Sequence, residues 1–129
     1  CLMYGWNQPA QIGNVAALNL KENVDAQVAR CVFYDNEVAF RVRGPGKRGG
    51  AHVRITDCAI YNTRLGIRAE DRIEQLKIRG LGFGEGVAER IKFVNGKAGP
   101  GYENTGEHDA TAKLLDILRS GLCQEWLEK

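Results

Sequence analysis

The sequence predicts an all-β fold, a parallel β-solenoid of about three to four coils with an α-helical cap at its C-terminal end. Three observations carry this prediction. A Cys-x-x-Tyr phrase recurs, apolar residues alternate in short pairs through the first 94 residues, and an apolar stripe with helical spacing follows residue 109. Alternating pairs are typical of short β-strands, and stacked repeats of about 25 residues are typical of solenoids.

The repeat is clearest between CVFYDNEVAFRV, which begins at Cys31, and CAIYNTRLGIRA, which begins at Cys58. Another copy follows in LKIRGLGFGEG, and an incomplete copy begins at Cys1. The copies lack consistent two-residue turn signals, so stacked coils are favoured over tandem hairpins. The aligned pairs are Ala26 with Val53, Val28 with Ile55, Phe33 with Ile60, Tyr34 with Tyr61, Val38 with Leu65, Phe40 with Ile67, Leu76 with Val53, Phe83 with Ile60, Met3 with Phe33, Leu18 with Phe40 and Leu20 with Val42.

A known family has similar repeats. VRITDCAIYNTRLGIR and VARCVFYDNEVAFRV resemble the repeats of the right-handed parallel β-helix superfamily, which has the pectate-lyase-like fold, and the resemblance covers about residues 1–93. It implies a right-handed solenoid of the kind used by polysaccharide lyases, glycoside hydrolases and epimerases. Many functions share this scaffold, and the catalytic motifs of those enzymes match no residues here.

The chain divides into three segments: β-helix coils over residues 1–94, a turn-rich linker over 95–108 and a capping helix over 109–129. Asp109 is the predicted N-cap of this helix. An open solenoid end exposes apolar core and strand edges, so a cap is expected there. Because Cys1 already occupies a core position, we expect a missing N-terminal part of the same β-helix as a partner.

The cysteine column and the tyrosine column of the repeat are expected to face opposite ways. Cys1, Cys31 and Cys58 share a column with Leu81, which predicts buried thiols, with a disulfide between neighbouring coils as an alternative. The tyrosines at positions 4, 34 and 61 are expected to face outward and form an aromatic strip. Such a strip either stacks on sugar rings or packs against loops. Asp35 and Asn62 predict a polar ladder at the next corner.

Basic residues also align. Arg41 shares a column with Arg68, and Arg54 shares another with Lys77. Outward basic columns suit the carboxylates of acidic polysaccharides, or serve only solubility and edge protection. The predicted ligand-binding residues are Tyr34, Tyr61, Arg41, Arg68, Arg54 and Lys77.

Cofactor chemistry has little support in the sequence. RAEDRIE supplies Glu70 and Asp71 as the calcium candidate, and otherwise no cofactor is expected. The four cysteines form no CxxC pair, which argues against structural zinc. The glycine-rich GPGKRGG lacks the ending of a phosphate loop. The catalytic residues are unknown, and whether the chain is an enzyme stays open.

Composition narrows the remaining classes. A net charge of +2 gives no reason to expect a nucleic-acid partner, and no apolar run is long enough for a membrane span. The expectation is a part of a secreted carbohydrate-active β-helix protein, with this segment mainly scaffold and glycan-binding face. Its place would be extracellular, periplasmic or at the cell surface. The alternative is a non-catalytic β-helix surface or binding protein.

Overall fold

The computed structural model describes residues 2–6, 16–21, 23–43, 50–70, 73–94 and 101–110. These residues contain thirteen short β-strands and no helix. The strands are Leu2–Tyr4 (β1), Leu18–Leu20 (β2), Asp25–Ala29 (β3), Val32–Tyr34 (β4), Val38–Val42 (β5), His52–Thr56 (β6), Ala59–Tyr61 (β7), Leu65–Ala69 (β8), Gln75–Arg79 (β9), Gly82–Phe83 (β10), Glu89–Phe93 (β11), Tyr102–Thr105 (β12) and His108–Asp109 (β13).

Each strand pairs with the strand three places along the chain, and every pairing is parallel. Sheet A contains β1, β4, β7, β10 and β13; sheet B contains β2, β5, β8 and β11; sheet C contains β3, β6, β9 and β12. The chain therefore winds as a parallel β-solenoid with three strands per turn and at least three turns. This confirms the solenoid that the repeat predicts.

The register of the sheets matches the repeat alignment. Phe33 pairs with Met3 on one side and Ile60 on the other, and Ile55 pairs with Val28 and Ile78. The remaining aligned strand residues pair in the same way. The match has a physical reason: a slip of one residue would turn every apolar side chain of a strand toward solvent.

The core runs along the solenoid axis as stacked apolar columns. Phe33, Ile60 and Phe83 form one column from sheet A, and Val53 and Leu76 belong to another from sheet C. All five side chains are buried. Cys31 and Cys58 lie in the same core and are free thiols, as their column predicts.

Left-handed backbone marks two of the corners. Asp35 (φ 55°) and Asn62 (φ 44°) follow the strands of sheet A, and both side chains are exposed. The buried polar side chains are instead Asn36 and Thr63, one residue later. Asn36 donates from Nδ2 to the Met3 carbonyl over 3.2 Å in the neighbouring coil. The ladder predicted at Asp35 and Asn62 is therefore wrong by one position. The buried polar residues follow these two, because the left-handed residue directs its own side chain outward.

The solenoid continues beyond residue 94, where the sequence pattern places its end. Strand β12 and His108 of β13 lie in the predicted linker, and the two strands extend sheets C and A. Asp109, the predicted N-cap, lies in β13. Ala110 is described and is not helical, whereas residues 111–129 of the predicted helix lie outside the described residues, as do residues 95–100 of the linker.

Candidate ligand-binding face

The outer face of sheet A is unusually apolar. Ile60 points into the core, so Ala59 and Tyr61 on the same strand point outward. Together with Leu2, Val32, Tyr34 and Ala110 they form an apolar cluster separate from the main core. We call this surface the A face. Sheet C differs, since its equivalent outward positions carry Gln27, Arg54 and Lys77.

Aromatic rings cover one end of the A face. The rings of Tyr4 and Tyr34 stack with their centroids 4.8 Å apart and an interplanar angle of 11°. Tyr4 is 59% exposed and Trp6, just beyond it, is 56% exposed. The backbone N–H of Trp6 donates to Oδ1 of Asn36 over 3.1 Å, and Trp6 O accepts from the N–H of Glu37 over 2.6 Å. The corner that carries Trp6 is therefore tied to the next coil.

Tyr61 continues the aromatic column but is not exposed. Its relative exposure is 1%, and a Cβ placed on Gly84 in the next coil would overlap its ring. Burial raises the pKa of the Tyr61 hydroxyl, and the charge of Glu85 raises it further. The exposed strip predicted from three tyrosines therefore comprises only Tyr4 and the half-buried Tyr34, because Tyr61 is buried with one ring edge against Gly84 of the next coil.

A groove of about 450 Å³ opens beside Tyr61 on the A face. Val32, Ala59 and Ala110 give it apolar walls. His108, another lining residue, packs over Gly82, since its Nε2 lies 3.0 Å from the position that a Gly82 Cβ would take.

Polar groups line the rim of the groove at the corner that precedes sheet A. Arg30 (φ 55°), Asp57 (φ 51°) and Gly80 (φ 70°) occupy this corner in successive coils. His108 lies on the other side, where its Nδ1 is 2.9 Å from the Gly106 carbonyl. A guanidinium, a carboxylate and an imidazole therefore surround an apolar floor, a combination of groups typical of small-ligand sites.

The described lining of the groove lacks the paired carboxyl groups that acid–base hydrolysis of a glycoside commonly uses. Among its described lining residues, Asp57 is the single carboxylate. Glycoside hydrolysis commonly needs two carboxyl groups about 5–9.5 Å apart. The described part of the groove thus offers groups for binding rather than a hydrolytic pair.

The predicted basic columns form, but on other faces. Arg41 and Arg68 pair in register on sheet B. The Arg41 side chain is only 12% exposed and its Nη2 lies 2.8 Å from Oε1 of Glu70. Glu70 also accepts from Nε of Arg43 over 3.4 Å, so its carboxylate links two coils of the solenoid.

The calcium candidate is affected by the same contacts. Both Glu70 oxygens face arginines, and Asp71 lies outside the described residues. Within residues 2–110 that the structure describes, no group of three or more His, Cys, Asp or Glu side chains is placed to hold a metal ion. The ion pairs with Arg41 and Arg43 accordingly account for the placement of the Glu70 carboxylate.

Arg54 and Lys77 pair in register on sheet C, and both are exposed. The six predicted ligand-binding residues therefore lie in pairs on three different sheets. Tyr34 and Tyr61 on sheet A are the pair that borders the groove or its aromatic end. A small ligand on one face would not reach the other two pairs.

Sequence reasoning missed the polar groups that line the groove: Arg30, Asp57 and His108. None of these residues repeats along the chain at its own position. One signal was present, because Gly82 and Gly84 replace Ala59 and Tyr61 in their columns. Loss of side chains from consecutive outward positions indicates a depression in the sheet surface.

The described part of the chain contains no helix that is long and apolar enough to cross a membrane. The chain matches no protein-family model, no curated protein and no solved structure. The functional argument therefore rests on the geometry of the A face.

Proposed function

We propose that this chain is the glycan-binding and scaffold part of a secreted, carbohydrate-active parallel β-helix protein, and that the A face is where the glycan binds. The observation that carries the proposal is the combination of exposed aromatic rings and an adjoining groove on one outward apolar sheet face. Large apolar side chains left exposed beside a groove mark interaction sites, and Tyr4 is 59% exposed.

The chemistry of a sugar ring suits this surface. A pyranose presents apolar C–H groups on its faces and hydroxyls at its edges, and the flat side of an aromatic ring packs against the former. Tyr4 and Tyr34 supply such rings. Arg30 and Asp57 at the rim supply a donor and an acceptor for hydroxyls.

The spacing of the coils also suits a chain-like ligand. Neighbouring strands lie about 4.8 Å apart, so the A face offers similar positions at regular intervals along the solenoid axis. Tyr34 and the groove residue Ala59 lie in adjacent coils of this face. An oligosaccharide lying along the axis would contact the aromatic end and the groove together.

Finer features of the protein belong to the same proposal. Parallel strands joined by crossovers are right-handed in about 98% of cases, which supports a right-handed, pectate-lyase-like helix. We propose a capping helix in the C-terminal segment and an extracellular, periplasmic or cell-surface place. Lyase, hydrolase or epimerase chemistry would then use residues other than those of the groove.

A second candidate is a non-catalytic β-helix surface or binding protein. The single carboxylate among the described groove residues favours it. The two candidates share the glycan-binding face and differ in product formation. Incubation of the natural full-length protein with polyuronides and neutral glycans, followed by detection of unsaturated or shortened products, separates them.

Binding is tested first with a glycan array that holds acidic and neutral polysaccharides. We expect at least one class to bind, and Tyr4→Ala, which removes the exposed ring stacked on Tyr34, to weaken that binding. Val94→Ala is the matched control, since Val94 is an exposed large apolar residue that directly follows β11 of sheet B and lies away from sheet A. Absence of binding to every glycan, or equal effects of both variants, would overturn the proposal.

A further inference from the structure

The two described cysteines occupy equivalent positions in neighbouring coils. Cys31 lies between the paired residues Ala29 and Val32, and Cys58 lies between their partners, Thr56 and Ala59. Both side chains belong to the apolar core. The two residues are therefore one solenoid step apart, about 4.8 Å, which falls within the Cα separation of about 4.4–6.8 Å found in disulfides.

The orientations of the thiols also agree. Each Sγ lies 3.4 Å from the carbonyl oxygen two residues earlier, Ala29 for Cys31 and Thr56 for Cys58. Cys58 Sγ is also 3.7 Å from the carbonyl oxygen of Val28, which belongs to the coil of Cys31. The Cys58 thiol therefore reaches toward the coil that holds its counterpart.

We propose that Cys31 and Cys58 are a redox pair that forms an inter-coil disulfide when the protein reacts with a low-molecular-weight disulfide. The thiolate of Cys31, the more exposed of the two, attacks one sulfur of that reagent, forms a mixed disulfide and releases one thiol. The thiolate of Cys58 then attacks the Cys31 sulfur and releases the second thiol. The protein loses two protons and two electrons, which the reagent takes up as it becomes two thiols.

The pair is positioned to affect the candidate site. Both cysteines line the groove of the A face, together with Val32 and Ala59, which follow them in sequence. A disulfide would fix the first residues of β4 and β7 relative to each other. Burial raises the pKa of both thiols, so the reduced pair is protonated and slow to react at neutral pH.

Peptide mapping of the unmodified full chain tests this inference. The folded protein is treated with bis(2-hydroxyethyl) disulfide at about pH 8.5, the remaining thiols are blocked with N-ethylmaleimide, and the protein is digested with trypsin. We expect peptide 31–41 joined to peptide 55–64, with two hydrogens fewer than their sum. Recovery of both peptides with separate adducts on their cysteines would overturn the proposal.

A stability measurement gives a second readout. In a chain with Cys1→Ser and Cys123→Ser, only the proposed pair remains, and closing the loop between them should raise Tm by at least about 5 °C over the reduced form. The same chain with Cys58→Ser should show neither the cross-link nor a redox-dependent Tm. A cross-linked product with unchanged or lower Tm would contradict the claim that the disulfide stabilises the coils.

Discussion

One edge of the Tyr61 ring lies where a Cβ on Gly84 of the next coil would stand. This contact covers part of an outward-facing tyrosine that is almost fully buried. It also separates the aromatic end of the A face, with Tyr4 and Tyr34, from the groove. The shape of the candidate site therefore depends on a glycine that carries no chemistry of its own.

Gly84→Ala tests this contact. The new methyl group must displace the ring, and overpacking of this kind costs about 1–3 kcal/mol. Urea unfolding measures the loss, and Tyr61→Ala serves as the partner variant in a double-mutant cycle. In the Tyr61→Ala background Gly84→Ala should cost much less. Equal costs in both backgrounds would show that the two residues do not interact.

The pKa of Tyr61 predicts how stability changes at alkaline pH. Burial raises the pKa of the Tyr61 hydroxyl in the folded protein above its ordinary value of 10.0. The neutral hydroxyl is thus favoured in the folded state, and this contribution is complete below pH 10.0 and is lost as pH rises through the folded-state pKa. Urea midpoints measured across this range should fall more steeply for the natural chain than for Tyr61→Phe. Parallel curves would contradict the prediction.

Asn36 supports the corner that carries Trp6. Its amide joins the Met3 carbonyl and the Trp6 N–H, and the side chain is buried. Asn36→Leu leaves both backbone groups without this partner, so we expect a loss of about 1–3 kcal/mol in the free energy of unfolding. Gln27→Ala, at an exposed position of sheet C, is the control and should stay within about 0.5 kcal/mol. A similar effect of the two variants would remove Asn36 from the account.

Much of the fold could be predicted because stacked coils must repeat their inward positions. The alignment of Cys31 with Cys58 therefore gave the correct register and burial of both thiols. Strands β12 and β13 escaped prediction, since β12 places Tyr102 and Asn104 beside Leu76 and Ile78 of the core columns. Polar atoms at those positions interrupt the apolar alternation on which strand prediction depends.

The candidate site was less accessible to sequence reasoning. Whether an outward residue is exposed depends on the next coil, as Gly84 shows for Tyr61. The corner that holds Asp35 depends on a left-handed backbone conformation, which the residue type allows but does not require. Arg41 was a predicted ligand-binding residue, but its guanidinium pairs with the carboxylate of Glu70, a contact that the repeat alignment does not show.

The most direct test of the account compares two faces of the solenoid with the glycan that binds best. Calorimetric titration would use Tyr34→Ala on sheet A and the double variant Arg54→Ala/Lys77→Ala on sheet C. Loss of a stacking ring is worth about 0.5–1.5 kcal/mol beyond the contact area it buries, so we predict roughly a tenfold weaker Kd for Tyr34→Ala. The sheet C variant should bind almost as tightly as the natural chain. Unchanged binding by Tyr34→Ala together with loss of binding by the sheet C variant would contradict the assignment of the A face.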